Sequence, residues 1–486
     1  MTAATRHDRL SFPAVFAVDL RSLGLFRIGL AVALLYDLWQ RAHDLEAHYA
    51  DSGLWPVAQV LADGVPPLAP HLWSGRIEYQ TALFALAAAC ALLLALGHRT
   101  RVFLFLSWIL HASLRARNPA VGHGGDDLLG LLLLWSIFLP MGARFSLDAR
   151  TRPVSHGAGP YYSAAAAALL LQVVFMYVFT GLLKLKVPTW RDGSMLSLIL
   201  ENDWYVSEVG RWVAPQRWLT VPLTFGTLVI ELCAPVVLLV PRPGFRALGL
   251  ALLLGLQIGT ALCMTLGIFP WVFFTALIPF VPTWAWEAAC GRSGAPPAPP
   301  PATPSRAGSA LHNRLVWALV GWSLVINVAS VKGRKLYEQL PTPVLALGEI
   351  TGLDQYWSMF AQPETSDGWL CVRGTLADGT VVNLLMPEAP VDCRKPKSVV
   401  RSLPGARWID ALQAVVAEGA VGFWQRYESL AKRRWNAGHG PTRQLVSMEV
   451  VFFHEPIPAG RAPNIVRESL WPPPPSTDDR SRESQD

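Results

Sequence analysis

Charge is what this sequence has least of. Only 16% of its residues are Asp, Glu, Lys or Arg, against 52% that are hydrophobic, and the mean hydropathy is +0.32. An ordinary soluble domain carries about 25% charged residues, so this chain cannot cover a globular surface with polar groups; a soluble enzyme, a disordered chain and a fibrous repeat are excluded. Cysteine is scarce too. Six in 486 residues are too few for a disulfide scaffold, and without a CxxC pair or a Cys/His cluster the sequence predicts no metal site. No P-loop, dinucleotide fingerprint, HExxH or GxSxG pattern occurs in a convincing context, which leaves phosphate transfer, nicotinamide chemistry and metalloprotease action without support. The net charge of +6 does not point to nucleic acid, because the arginines sit mostly in short loops between apolar runs.

What is present is a series of such runs, at roughly 22–40, 78–96, 102–114, 126–140, 163–183, 222–240, 245–266, 268–286 and 312–330. They predict an all-α polytopic bundle of about nine transmembrane helices, the third and fourth short, with the lipid bilayer as its main partner. The polar start MTAATRHDRL has no small-residue cleavage site after it, so the first span is expected to be retained. Every even-to-odd connection carries arginine, among them Arg99, Arg101, Arg144, Arg150, Arg242 and Arg246, which predicts a cytoplasmic N-terminus and an extracytoplasmic C-terminal domain. Arg115 with Arg117, and Lys184 with Lys186, break that bias.

The Pro/Ala/Ser-rich stretch 291–309 reads as a cytoplasmic linker inside a transmembrane domain covering 1–330. From 331 to 467 a small α+β domain is expected: a hairpin in GWLCVRGTLADGTVVNLL turning at Asp378 and Gly379, a basic helix at 419–435, and a strand in VSMEVVFFHE. Residues 468–486 read as a disordered tail. Cys371 and Cys393 flank the hairpin on the side where oxidation is allowed, so a disulfide is expected there, whereas Cys90, Cys233 and Cys263 read as packing residues within spans. Trp357 to Phe360 read as core aromatics of the C-terminal domain, with packing onto the membrane face as the alternative. Arg426, Lys432, Arg433 and Arg434 read as a solvated helix face, with anionic lipid as the alternative.

Ionisable side chains inside apolar runs are costly, and this makes them candidates for function. Arg27 and Asp37 lie ten residues apart on the first helix, too far to meet, so each needs a partner elsewhere. His111, Arg115, Arg117, Asn118, His123, Asp126 and Asp127 cluster around the third and fourth runs, the aspartates suiting either a helix cap or a binding site. Lys184 ends the run LLLQVVFMYVFTGLLKL; desolvation there disfavours an ammonium and makes a neutral amine available as a base, while a helix-end lysine at the interface is the structural alternative.

Several separated motifs carry a resemblance: SLGLFRIGLAVALLYDL with YADSGLWP, NPAVGHGGDDLL running to FLPMGARFSLD, YVFTGLLKLKVPTWRDGSM, and DQYWSMFAQP. Together they resemble the HTTM (horizontally transferred transmembrane) family, whose best-known members are the vitamin K-dependent gamma-carboxylases, over about residues 18–455. The most specific match is Tyr177, Gly181, Lys184, Trp190 and Gly193. In the carboxylases the lysine of that motif is regarded as the base that deprotonates vitamin K hydroquinone; oxygenation then yields a stronger base that removes a glutamate γ proton, and carbon dioxide adds. The resemblance therefore implies a carboxylase-type lyase of a bacterial-type inner membrane, a reduced quinone (vitamin K or menaquinol) as cofactor and a polypeptide substrate. It implies Lys184 and His123 as catalytic residues, the histidine within a residue or two of the family's position. Arg27, Arg115, Asn118, Asp126, Tyr177 and Trp190 are expected to line the site. The roughly 150 residues of the C-terminal part leave little room for a propeptide-binding surface. The other reading is a non-enzymatic membrane module that binds lipid or a partner protein through its outer domain. A transporter is disfavoured, since the runs show no inverted repeat.

Overall fold

The computed structural model describes residues 12–64, 69–151, 160–289, 310–333, 348, 351–405, 407–418, 421–457 and 465–473. The 291–309 linker lies outside them. Each apolar run forms helix: α1 (Leu20–Ala42), α2 (Ile77–Leu96), α3 (Thr100–Arg117), α4 (Gly124–Ser136), α5 (Ala164–Lys184), α6 (Arg217–Leu238), α7 (Pro243–Cys263), α8 (Phe269–Leu277) with α9 (Thr283–Ala289), and α10 (Ala310–Lys332). Among the described residues α1, α2, α5, α6, α7 and α10 are long and apolar enough to cross a membrane, and the segment Phe269–Ala289, bent by 95°, makes a seventh if counted as one span. The expected nine are reduced at α3 and α4. Helix α3 carries Arg101, His111, Arg115 and Arg117 in 18 residues. Helix α4 has 13 residues, a rise of about 20 Å against a hydrocarbon core of about 30 Å.

Burial explains α4. Its Leu128, Leu129, Leu131, Leu132 and Leu133 are all 0% exposed, and a helix apolar on every side belongs inside protein. Around it pack Leu23, Phe26 and Leu30 of α1, Ala165 to Leu170 of α5 and Val272 of α8. Helices α6, α7 and α10 instead expose Val229, Val236, Leu248, Leu262 and Leu324, the contiguous apolar surface that a bilayer covers.

The C-terminal domain is an antiparallel sheet of β1 (Ser366–Leu376), β2 (Val381–Asn383), β3 (Leu445–Pro456) and β4 (Val466–Trp471) in the order β2-β1-β3-β4. The β1–β2 turn contains Gly379 at φ 83° and is held by Asp378, whose carboxylate accepts the Thr380 N–H at 2.9 Å. Strand β4 pairs Glu468 with Phe452, so an edge strand occupies the first residues of the expected tail; 474–486 lie outside the described residues. Helices α11 (Arg407–Glu418) and α12 (Val421–Ala437) cover the sheet, burying Trp408, Leu412, Phe423 and Trp424 against Val372, Val450 and Phe452. Cys371 and Cys393 form a disulfide.

Three expectations need correction. Trp357 is not a core residue of this domain: with Leu353 it sits in the core of the helical bundle, Met359 packed against it. Its indole and Gln172, Ser323 and Gln355 form one buried hydrogen-bonded chain that fixes the segment there, Gln172 Nε2 donating to Gln355 Oε1 at 2.7 Å and Gln355 Nε2 to Ser323 Oγ at 2.9 Å. The basic face of α12 is not simply solvated. Arg426 Nε donates to Leu54 O at 2.7 Å, Arg433 to Ser52 O, and Arg434 lies 3.3 Å from Glu46, so it grips the loop after α1. Cys233 is exposed rather than packed.

Candidate functional site

Helix α5 starts where Ser163 caps it, accepting the Ala166 N–H at 3.1 Å, and ends at Lys184. Gly181, one turn earlier, lets α6 approach: a Cβ there would lie 2.9 Å from Leu232 Cδ2. That closeness brings Glu231 of α6 within reach, and the buried Lys184 Nζ donates to Glu231 Oε1 at 2.6 Å. The Trp190 ring lies 4.7 Å from Nζ and is oriented by its own Nε1, which donates to Phe360 O at 3.0 Å. Tyr177 accepts from Gln257 Nε2 at 3.1 Å. Gly193, at φ 82°, supplies the left-handed turn after Trp190.

These side chains surround a small chamber of about 80 Å³, closed by Phe269, Phe273, Met359 and Phe360. Two acceptors in its wall, Glu231 Oε2 and Gln257 Oε1, are buried and have no hydrogen-bond partner among the described residues. Buried polar atoms are paired almost everywhere in native proteins, so two orphans facing one chamber mark a place for hydroxyl or amine donors.

Beside it lies a cavity of about 950 Å³ at the junction of bundle and C-terminal domain; Ile199, Met264, Phe269, Met359 and Phe360 line both. His123 lines this larger cavity and also a third one, of about 560 Å³, that includes Arg115, Asp127 and Asp354. It caps α4: Nδ1 accepts the Gly125 N–H and Asp126 Oδ2 accepts the His123 N–H, both at 3.0 Å. Burial pushes the imidazole down to about 4. A neutral ring that accepts at Nδ1 carries its proton on Nε2, leaving that N–H to donate.

Of the other expected lining residues, Tyr177, Trp190 and Arg115 line cavities. Arg115 pairs with Asp127. Asn118 is fully buried and donates to His48 O at 2.9 Å. Asp126 belongs to a buried cluster: it meets Arg41 at 2.9 Å and Arg407 at 2.7 Å, while Asp37 meets Arg41 at 2.8 Å and also Arg407. Arg27 lies away from all of these. Fourteen residues separate it from Arg41, about 20 Å along α1, and its two terminal nitrogens are held by carbonyls of Ala95 (3.2 Å), Met141 (3.3 Å) and Phe145 (2.5 Å), while its Nε is buried with no hydrogen-bond partner among the described residues. The sequence reading passed over Glu231, Gln257, Arg41, Arg407 and Asp410. Glu231 and Arg41 had a signal, an ionisable residue in or at the end of an apolar run; Arg407 and Asp410 had none.

A family model described as HTTM domain matches residues 16–286. No curated protein and no solved structure matches the chain.

Proposed function

The chain belongs to the HTTM family, whose model covers more than half of it, and on that premise we propose that this integral membrane protein is a quinol-linked, carboxylase-like enzyme with Lys184 as its proton-abstracting base. The observation that carries the reading is the chamber itself: a buried lysine–glutamate pair with two unpartnered acceptors, walled by aromatic rings. Glu231 Oε2 and Gln257 Oε1 would accept from the hydroxyl groups of a flat ring held against these aromatic walls.

Lys184 passes a proton to Glu231 along their hydrogen bond, which exchanges two charges in a dry site for a neutral amine beside a neutral acid. The amine Nζ then accepts a proton from a hydroxyl positioned by Glu231 and Gln257. Trp190 limits where Nζ can move. His123, which lines the adjoining cavity, has an Nε2–H that would stabilise negative charge developing on an oxygen there. A reduced quinone, vitamin K hydroquinone or menaquinol, supplies the acidic hydroxyl and the oxidisable ring when bound.

In this reading the protein crosses a bacterial-type inner membrane seven times, Phe269–Ala289 counted as one span, with α3 and α4 sheltered inside the bundle, the N-terminus cytoplasmic and the disulfide-bonded domain outside. The arginines of the even-to-odd loops and the Cys371–Cys393 bond support that orientation.

The test is to titrate the purified protein with vitamin K hydroquinone or reduced menaquinone and to measure oxygen-dependent epoxide formation in wild type, Lys184→Ala and Glu231→Gln. Epoxide should form with wild type and vanish in Lys184→Ala. Epoxide unchanged in Lys184→Ala excludes the lysine as base; neither binding nor turnover in wild type makes the protein a non-enzymatic module.

A further inference from the structure

The 950 Å³ cavity carries a charge imbalance that the Lys184 chemistry does not explain. Arg407, on its wall, is committed to Asp37 and Asp126, and with Arg41 the two guanidiniums and two carboxylates cancel. His123 is neutral. What remains on the lining is Asp410 of α11 and the exposed Glu364, neither of which makes a hydrogen bond or ion pair among the described residues. Gln40 adds an acceptor of its own: its Nε2 donates to Tyr36 at 3.1 Å while its Oε1 is buried and unpartnered. Arg407 Nε and the neutral His123 Nε2–H are donors on the same lining, and neither is a cation free of a carboxylate partner. Burial pushes the Asp410 carboxyl up to about 7 against the pull of Arg407 and Arg41, so these guanidiniums, bonded to Asp37 and Asp126, do not compensate it fully. Tyr36, Tyr205 and Trp271 supply aromatic faces to the same space, and such faces attract cations.

We propose that this cavity binds a substrate or ligand group of positive charge, an amine on an apolar body, with Asp410 as its counter-ion and Glu364 at the rim. An acidic polypeptide, the substrate that the carboxylase resemblance implies, would meet two like charges here without a free cation among the described lining residues to receive it. The inference rests on the proposed function only in taking this cavity as the antechamber of Lys184; binding itself is independent of turnover.

Calorimetric titration with 2-phenylethylamine and with 3-phenylpropionate, in a neutral detergent and without quinol, tests it on wild type, Asp410→Asn and Glu364→Gln. The amine should bind wild type saturably and at least about tenfold more weakly in Asp410→Asn, the loss expected for a charged hydrogen bond, while the carboxylate should not bind. Glu364→Gln should weaken amine binding less. Equal or tighter binding of the carboxylate, amine binding unchanged in Asp410→Asn, or no saturable amine binding to wild type overturns the proposal. Unchanged melting temperatures in the two acid variants separate a lost counter-ion from a lost fold. Amine binding that persists while epoxide formation fails would overturn the quinol reading alone.

Discussion

Lys184 and Glu231 are each tolerable in a buried site because of the other. Removing one partner leaves a charge without compensation, at a cost of about 3–5 kcal/mol, whereas replacing both by apolar groups of similar volume is often neutral. Lys184→Met and Glu231→Leu should therefore each lower the unfolding midpoint sharply, and the double variant should recover most of the loss. A double variant no better than the worse single one would show that the two side chains do not act as a pair. The cycle reads structure alone, so it complements the epoxide assay. At this scale the sequence was half legible. Lys184 announces itself by ending a long apolar helix, and the rule that singles out Asp37 applies equally to Glu231. Neither residue names its partner, because a separation of 47 positions is bridged only by the packing of α5 on α6.

Among the elements, that packing depends on Gly181. A valine there would set its Cβ 2.9 Å from both Leu232 Cγ and Cδ2 and 3.4 Å from Glu231 Cβ, with two further methyl groups to place. Overpacking of this kind costs about 1–3 kcal/mol, and the α6 displacement would loosen the Lys184–Glu231 bond. Gly226, on α6 itself, has no atom within 4 Å of an added Cβ. Gly181→Val should thus lower the melting temperature and weaken quinol binding, with Gly226→Val close to wild type in both; two equal variants would mean that α6 yields freely. Apolar periodicity located the helices, yet it could not say that α4 is enclosed by protein, since a short leucine-rich run looks the same whether lipid or other helices surround it. Nor could it place Trp357 to Phe360, whose side chains would suit either core. The choice was made by Gln172 and Gln355, 183 positions apart, which satisfy each other only if the segment enters the bundle.

For the molecule as a whole, the junction between the bundle and the C-terminal domain buries several ionisable groups, and it links stability to pH. His48, in the short helix Leu45–Tyr49 after α1, is 1% exposed. Its ring lies 4.8 Å from Trp408 of the C-terminal domain and 5.5 Å from Trp55, and neither ring nitrogen has a partner among the described residues. Burial pushes this imidazole down to about 3, with Arg41, Arg407 and Arg434 acting in the same direction. The unfolded chain titrates near 6.5, so below that pH the unfolded state binds a proton that the native state refuses. Stability from this group is complete above pH 6.5 and is lost as the pH falls toward 3, at about 1.4 kcal/mol per pH unit. Asp410 acts oppositely: its folded value of about 7 lies above its unfolded one, so its contribution is greatest in acid and declines as the pH rises toward 7. Comparing wild type with His48→Phe cancels the Asp410 term and that of His71, also held at about 3. Phenylalanine keeps the aromatic contacts and removes two unpaired nitrogens. The melting temperatures of the two proteins should therefore diverge steadily from pH 6.5 to 5, with wild type falling faster. Parallel curves over that range would show that His48 takes up its proton without leaving the interface.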